Sequence, residues 1–326
     1  MKRRVLLIIL TIVVSAQVFP AWAQQRADVP VVGLLVTHAA VNDPIFDQLR
    51  AGLRELGYED RRNMRLEIVT AAGKLDRLPA LAQELVRRKA NVIVAPNEAS
   101  IRAALKATKT VPIVMVGGQG YDPVALGLID SFARPGGNLT GTYGLWSELE
   151  LKRIELAKEA LPETSRVALL WETNFGRSAL AALQSSAQTV GVRVEPIEVR
   201  GPDDLESAFA TAKRKQAGAV ILLSSPIFYV QRDRIAALGL QAKLPVISPF
   251  EFNVEAGALM SYGGDLRAVW RRAAYYVDRV LRGATPGELP VERISNLRLV
   301  VNLRTAKALG VTVPDSILLR ADEVIR

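Results

Sequence analysis

The chain has 326 residues, of which 49% are hydrophobic and 23% charged, and its formal net charge is +9. It contains no cysteine and a single histidine, which excludes a disulfide framework and leaves any histidine-based catalytic or metal centre with His38 alone. The basic clusters fall near predicted helix ends without interleaved aromatic residues, so they favour a solvated surface over a nucleic-acid interface.

The N-terminus has the pattern of a secretory signal peptide. A positively charged start (residues 2–4) precedes an apolar run (5–14) and an Ala-Trp-Ala site at 21–23. The alternative, a membrane anchor, requires about 20 apolar residues. The pattern predicts cleavage after Ala23, periplasmic location and no membrane insertion of the mature chain. The mature chain has 326 − 23 = 303 residues and a net charge of 9 − 3 = +6, which predicts about two domains.

The first half of the mature chain alternates predicted strands and helices. Residues 30–36 form a continuous apolar run, which is typical of a strand buried on both faces of a parallel sheet. Asp43 and Pro44 then begin a helix that ends at Gly57. The order predicts a parallel sheet with helices on both faces. The further strands are expected at 66–69, 92–95 and 111–116, and the further helices at 75–89 and 99–108.

The second half repeats this order of strands and helices and some of the sequence motifs. Residues 88–96 are echoed by 215–226, and Val-Pro-Ile-Val at 111–114 is echoed by Leu-Pro-Val-Ile at 244–247. Chance similarity between apolar strands is the alternative, but the recurrence in order favours a structural repeat. Helices are predicted at 148–161, 178–190 and 203–217, and strands at 167–171, 192–199 and 220–223.

The segment between the halves, residues 134–141, reads Arg-Pro-Gly-Gly-Asn-Leu-Thr-Gly. Proline and paired glycines predict a turn that feeds an extended strand. We interpret this segment as the hinge between two similar lobes. Because ligands bind at the carboxyl ends of strands in open parallel sheets, a small ligand is expected in the cleft between the lobes. The loops concerned are 37–38, 96–100, 117–122, 171–174, 224–228 and 249–253.

These loops supply polar and aromatic candidates. Asn97 and Ser100 precede a helix, where free N–H groups suit an anion, and Ser224 and Ser225 hold the matching place in the second half; helix capping is the alternative for both pairs. Asp122 is a candidate partner for an ammonium group or, alternatively, the acceptor of an Asx-turn. About two of six loop aromatics (Tyr121, Tyr143, Phe175, Phe228, Phe250 and Tyr262) are expected to touch the ligand. The predicted ligand-binding residues are Thr37, His38, Asn97, Ser100, Asp122, Tyr143, Asn174, Ser224, Ser225, Phe250 and Tyr262.

Evidence for a reaction centre is weak. No Walker loop or GxGxxG fingerprint is present, and Gly-Gly-Gln-Gly at 117–120 is too short to count as one. No carboxylate pair has a spacing that separates catalysis from solvated surface. The sequence therefore favours a binding protein over an enzyme, with no cofactor and no metal.

Six segments of the mature chain form recognisable signatures: SFARPGGNLTG (131–141), VEAGALMSYG (254–263), RRAAYYVD (271–278), LPVE (289–292), LVVNLRTAKALG (299–310) and ADEVI (321–325). They resemble signatures of the ABC-transporter substrate-binding family that includes tryptophan- and tyrosine-binding lipoproteins. The resemblance spans the mature chain, although the lipobox cysteine of those lipoproteins is missing, which fits a soluble receptor of a Gram-negative cell.

The resemblance implies an α/β, type I periplasmic-binding fold, in which two Rossmann-like lobes, each a parallel sheet flanked by helices, are joined by three crossovers. We expect the crossovers near 140–145, 248–253 and 290–297. The N-terminal lobe then comprises 24–142 and 250–291, and the C-terminal lobe 143–249 and 292–326.

The implied function is that of a monomeric periplasmic receptor of an ABC importer. It would capture an amino acid-like, aromatic or organic-acid solute and deliver it to a permease and its ATPase, without a nucleic-acid partner. The aromatic ligand of relatives is not carried over, because the cleft loops do not match residue by residue. The alternative is a sensor subunit that signals ligand occupancy to a membrane kinase.

Overall fold

The computed structural model describes residues 29–117, 122–144, 148–173 and 180–326. The predicted signal peptide, Tyr121, Asn174 and Phe175 lie outside these ranges. None of the helices within them combines the length and the apolarity that a membrane span requires.

The first lobe is built on a parallel sheet. Among the described residues it has six strands, in the order β11-β5-β4-β3-β1-β2. The apolar run that predicted a strand buried on both faces forms β1, and all six of its residues are buried. The strands are β1 (Val31–Val36), β2 (Arg65–Thr70), β3 (Val92–Ala95), β4 (Ile113–Met115), β5 (Leu139–Tyr143) and β11 (Glu292–Arg293).

Helices cover both faces of this sheet. One face packs against α1 (Phe46–Glu55) and α10 (Leu266–Leu281), and the other packs against α2 (Leu78–Arg87) and α3 (Glu98–Ala107). Each helix buries the apolar stripe that its sequence spacing predicts; in α1 this stripe contains Phe46, Leu49 and Leu53.

The second lobe holds a larger sheet. Its described strands run in the order β13-β12-β10-β9-β8-β6-β7. All neighbours are parallel except β10 and β12, which pair antiparallel. The strands are β6 (Arg166–Glu172), β7 (Arg193–Val199), β8 (Ala219–Leu222), β9 (Val246–Ser248), β10 (Met260–Gly264), β12 (Leu297–Asn302) and β13 (Glu323–Ile325).

The helices of the second lobe also lie on two faces and enclose two hydrophobic clusters. Together with the first lobe, this arrangement of two mostly parallel sheets flanked by helices confirms the predicted fold class. The helices are α4 (Glu148–Ala160), α5 (Leu180–Thr189), α6 (Leu205–Arg214), α7 (Pro226–Val230), α8 (Arg232–Ala242), α9 (Glu251–Glu255), α11 (Leu303–Leu309) and α12 (Asp315–Leu318).

The two lobes share one strand order. The order β2-β1-β3-β4-β5 in the first lobe corresponds to β7-β6-β8-β9-β10 in the second. The echoed segments therefore occupy equivalent places: β3 corresponds to β8, and β4 to β9. The repeat read from the sequence is a repeat of topology.

The second crossover lies later in the chain than predicted. After β9 the chain forms α9 and then β10, which pairs with β9 and with β12 in the second sheet. The chain reaches the first lobe only at α10, so the range 248–253 was wrong and residues 250–264 belong to the second lobe. The repeat explains this position. In both lobes the chain crosses to the other lobe after the fifth strand, which is β5 in the first lobe and β10 in the second. The third crossover lies between β11 and β12, and the first follows β5.

The sequence suggested that the segment beginning with the turn at 134–137 is the hinge, but the structure places this turn elsewhere. It precedes β5, at the end of the strand opposite to the crossover. Gly136 and Gly137 have φ angles of +68° and +57°, and the Gly136 N–H donates to the Gly287 carbonyl oxygen at 3.1 Å. A Cβ atom on Gly287 would lie 2.9 Å from the Gly136 carbonyl carbon. The glycines therefore allow a close backbone contact between this turn and the segment that follows α10.

Candidate functional site

The carboxyl ends of the two sheets confront each other across a cleft. His38, which follows β1, and Glu172, the last residue of β6, come from different lobes. Their Nε2 and Oε1 atoms are 3.6 Å apart. The topology thus brings the ligand-binding ends of both sheets to one place.

The cleft contains a largely apolar cavity. It holds about 620 Å³ of empty space, counting its opening to solvent. Thr37, His38 and Asn97 line it from the first lobe. Its apolar wall is an aromatic cluster formed by Phe46 and Trp270 of the first lobe and Tyr229 and Phe250 of the second.

The aromatic cluster joins the two lobes. The rings of Phe46 and Trp270 pack edge to face, with centroids 5.2 Å apart, and those of Tyr229 and Phe250 do so at 6.1 Å. The Tyr229 hydroxyl donates a buried hydrogen bond of 2.6 Å to Asp43 Oδ1 in the first lobe. Burial and the Asp43 carboxylate raise the pKa of Tyr229, so it stays protonated and remains a donor.

A second contact between the lobes lies beside the second crossover. Arg267, in the first turn of α10, pairs with Glu251 and Glu255 of α9, and its guanidinium lies 4.2 Å from the centroid of the Phe252 ring. Glu251 also pairs with Arg298 of β12. Burial raises the pKa of Glu251, and the two arginines oppose this effect.

Asn97 and Ser100 form a capping box at the start of α3. The Ser100 N–H donates to Asn97 Oδ1 at 3.1 Å, and the Asn97 N–H donates to Ser100 Oγ at 3.2 Å. Asn97 Nδ2 donates to Thr37 Oγ1 at 3.0 Å. Capping, the alternative considered for this pair, is therefore present. Asn97 also borders the cavity, whereas Ser100 is fully buried.

The matching loop of the second lobe contains two neighbouring serines, Ser224 and Ser225. Ser225 caps α7 by accepting from the Ile227 N–H at 3.2 Å, and its hydroxyl donates to Glu172 Oε2. The adjacent Ser224 Oγ is buried and has no hydrogen-bond partner among the described residues. A buried hydroxyl without a partner in the loop that faces the first lobe is a group that a ligand can satisfy.

A buried ion pair supports this loop from behind. Arg153 and Glu150, both in α4, lie 2.5 Å apart (Nη2 to Oε2), and Arg153 is fully buried. Arg153 Nη1 donates to the Tyr262 carbonyl oxygen at 2.8 Å. Burial raises the pKa of Glu150, while Arg153 and the backbone N–H of Ser224 oppose this effect. The pair links α4 to β10 and to the Ser224 loop.

His38 and Glu172 have opposite pKa shifts with one cause. Burial lowers the pKa of His38 to about 4 and raises that of Glu172 to about 7. The Ser225 hydroxyl and the Ile227 N–H oppose the shift of Glu172 only in part. At neutral pH, His38 is therefore uncharged and Glu172 is partly protonated.

Besides the fully buried Ser100, three predicted residues lie away from this cavity. Asp122 accepts from the backbone N–H groups of Val124 and Ala125 at 2.8 and 3.3 Å, as the Asx-turn alternative had it. Tyr143 is stacked on Phe132 at 4.3 Å in the core of the first lobe. Tyr262 packs against the core of the second lobe. Thr37, His38, Asn97 and Phe250 border the cavity, and Ser225 is linked to His38 through Glu172; contacts of the predicted residues with a ligand remain predictions.

Sequence reasoning missed five residues of the site: Asp43, Phe46, Glu172, Tyr229 and Trp270. Phe46 and Trp270 carry no distinguishing signal, because they fall on the apolar faces of helices. Glu172 did carry one, since a carboxylate ends a strand that is otherwise buried. A charged residue at the carboxyl end of a parallel strand indicates a site more often than a core.

The sequence matches the profile of a family described as ABC transporter substrate binding protein, over residues 29–325. The chain belongs to this family. The family resemblance predicted from the sequence is thereby confirmed, and the two-lobed fold agrees with it.

Two relatives of this substrate-binding protein match by sequence or structure over most of their length. A tyrosine-binding protein of Clostridioides difficile (strain R20291) is 27% identical over 284 residues, which are 82% of this chain and 78% of the relative. The crystal structure of a conserved domain protein from Vibrio cholerae O1 biovar eltor is 28% identical and has a TM-score of 0.81, with 91% of this chain and 99% of that chain covered.

A third relative was solved with a ligand. It is the domain of a Streptococcus pneumoniae ABC protein in complex with L-Trp, with a TM-score of 0.80 at 22% identity, covering 91% of this chain and 99% of that one. At this identity the likeness concerns the fold.

Proposed function

We propose that this substrate-binding protein is the periplasmic receptor of an ABC importer and that it binds an aromatic amino acid between its lobes. The observation that carries the proposal is the cavity at the confronting strand ends, which has polar groups on one side and the aromatic cluster on the other. Such a cavity suits a small molecule with one charged end and one apolar ring.

The two parts of the cavity match the two parts of an amino acid. The ring would pack against Trp270 and Phe250, where edge and face contacts between aromatic rings are favourable. The polar end would meet Thr37, Asn97 and the unpartnered hydroxyl of Ser224. The tyrosine-binding relative and the L-Trp complex support this ligand class.

Transport would use closure of the lobes around the ligand. Contacts between the lobes, such as Tyr229 with Asp43, would stabilise a closed cleft, and a ligand that touches both lobes would favour the same state. A permease that recognises the closed surface can then tell loaded from empty receptor. The signal-peptide pattern of residues 1–23 supports the periplasmic location.

A ligand screen tests the proposal. We expect the exported, processed protein to be stabilised by L-tyrosine or L-tryptophan in a thermal-shift assay. A ligand at 100 times its dissociation constant should add about 2.7 kcal/mol to the free energy of unfolding. Small-angle scattering should show a smaller radius of gyration with the ligand, and mass spectrometry should recover the ligand unchanged.

Two outcomes would contradict the proposal. One is that no amino acid stabilises the protein while a different class of solute does. The other is chemical conversion of the bound ligand, which would indicate an enzyme.

A further inference from the structure

Glu172 is a buried carboxyl group of the second lobe that faces His38, a residue of the cavity wall in the first lobe. Its side chain is 3% exposed, at the end of β6. Its partners among the described residues are the Ser225 hydroxyl, the Ile227 N–H and His38 Nε2 at 3.6 Å. None of these groups is a cation at neutral pH, since burial holds the pKa of His38 at about 4.

The charged side chains that the structure describes near Glu172 have other partners. Glu150 and Arg153 of α4 neutralise each other behind the Ser224 loop. Glu198 of the neighbouring strand β7 accepts from the Thr173 hydroxyl at 3.1 Å. His38 faces Glu172 from the first lobe, and its Nδ1 is buried without a partner in the described part of the chain. The carboxyl group therefore lacks a counter-charge within the part of the protein that the structure describes.

A buried carboxylate without a cation is unfavourable, and proteins retain such groups where a bound partner supplies the missing charge. The position of Glu172 points to a ligand, because the carboxyl group is held by the second lobe and aimed at the first. A primary ammonium group fits this place, since it has three donors, Glu172 Oε1 is an acceptor, and Nε2 of a neutral His38 that carries its proton on Nδ1 is a second acceptor.

We propose that Glu172 binds a primary ammonium group of the ligand and thereby selects amino acids and amines over simple carboxylic acids. This inference rests on the proposed function. Binding has a proton balance: protonated Glu172 releases its proton to solvent, and the resulting carboxylate pairs with the ammonium group, which keeps its own three protons. No other bond forms or breaks.

A matched set of ligands tests the inference by calorimetry. L-Tyrosine has both charged groups, tyramine lacks the carboxylate, and 3-(4-hydroxyphenyl)propionate lacks the amine. We expect tyramine to bind measurably and the deaminated acid to bind at least about 100-fold more weakly than L-tyrosine, since an unpaired buried charge is strongly disfavoured. L-Tryptophan, tryptamine and indole-3-propionate form the parallel set.

Proton release gives a second, independent readout. Titrations at pH 7 in buffers of different ionisation enthalpy should show about half a proton released per L-tyrosine bound, because Glu172 has a pKa of about 7. Below that pH, affinity should fall about tenfold for each pH unit. Above pH 8, release should vanish and affinity should be constant.

Variants distinguish binding from a structural role. Glu172→Gln should abolish proton release and weaken L-tyrosine binding at least about 100-fold, while Glu172→Asp should retain part of both. The control is Glu195→Gln, which changes a glutamate of the same lobe that pairs with Lys215 away from the cleft. It should leave affinity and proton release unchanged. Circular dichroism checks that each variant is folded.

The outcomes separate the inference from the proposed function. If L-tyrosine and its deaminated analogue bind equally well, or if Glu172→Gln binds L-tyrosine like the wild type, the protein is still an amino-acid receptor and the role of Glu172 is refuted. If Glu172→Gln weakens the binding of L-tyrosine and of its deaminated analogue equally, and L-tyrosine binding to the wild type releases no proton, the role of Glu172 is structural and the inference also fails. If no amino acid or amine binds, both proposals fail.

Discussion

His38 and Glu172 affect folding stability in opposite directions as the pH changes. Folding lowers the pKa of His38 from 6.5 to about 4, so its contribution to stability is lost as the pH falls from about 6.5 to 4. Folding raises the pKa of Glu172 from 4.5 to about 7, so stability is lost as the pH rises from about 4.5 to 7. Each effect is on the order of 3 kcal/mol, and the two largely cancel where they overlap.

Single variants should separate the two effects. In His38→Asn, the free energy of unfolding should rise as the pH falls from 7 to 4.5, because only the Glu172 effect remains. In Glu172→Gln, it should fall as the pH drops from 6.5 to 4. Urea denaturation between pH 4 and 8 measures both against the flatter wild-type curve. Three parallel curves would mean that neither group titrates abnormally in the folded protein.

At the scale of single residues, the sequence predicted which loop a residue lies in better than it predicted which residue it contacts. His38 and Asn97 were expected in cleft loops because topology alone fixes which loops follow the strands. The contact of His38 with Glu172 was not predicted, since it joins positions 134 residues apart (172 − 38) through the relative placement of two lobes. Tyr143 was misassigned to the cleft because alternation along a strand does not reveal which face meets the core.

Strand β5 passes very close to β4 at Gly141. Its φ angle is +127°, and a Cβ atom there would lie 2.7 Å from the Met115 backbone nitrogen and closer still to the Met115 carbonyl oxygen. Gly141→Ala should therefore lower the free energy of unfolding by about 3 kcal/mol, through backbone strain and steric overlap. Chemical denaturation monitored by circular dichroism measures the loss.

The control is Gly191→Ala, in the turn before β7. Gly191 also has a positive φ angle, +73°, but no atom lies within 4 Å of the added Cβ. It should cost about 1 kcal/mol from backbone strain alone. Equal losses in the two variants would show that the approach to Met115 is not what requires a glycine at 141.

Whole elements were largely predictable, and their lobe assignment was not. Strand β10 shows why. Its sequence, Met-Ser-Tyr-Gly-Gly, has little apolar periodicity, and the preceding helix α9 has only five residues. Both elements are too short for the spacing of their apolar residues to show whether they belong to a lobe or to a crossover. The equivalence of β5 and β10, visible only in the sheet order, places the second crossover.

At the scale of the whole molecule, the Tyr229–Asp43 hydrogen bond joins the two lobes. Tyr229→Phe removes the donor and leaves the Asp43 carboxylate buried at the lobe interface. Because this contact joins the lobes on either side of the cleft, we expect its loss to weaken ligand binding about tenfold. Calorimetry with L-tyrosine measures the change.

The chain offers a matched control in Tyr58→Phe. The Tyr58 hydroxyl donates to Asp278 Oδ1 at 3.1 Å, and both residues belong to the first lobe. This variant should change stability without changing affinity. Weaker binding in both variants would mean that loss of lobe stability, rather than loss of closure, explains the effect.

The threading of the chain has a consequence for assembly. The first lobe is discontinuous, since α10, which covers one face of its sheet, is encoded after strands β6 to β10 of the second lobe. A growing or refolding polypeptide that has reached only residue 144 leaves Phe46 and Leu49 without the helix that shields them. The first lobe therefore cannot be completed before residue 281 has been made, and the second lobe still lacks β12 and β13 at that point.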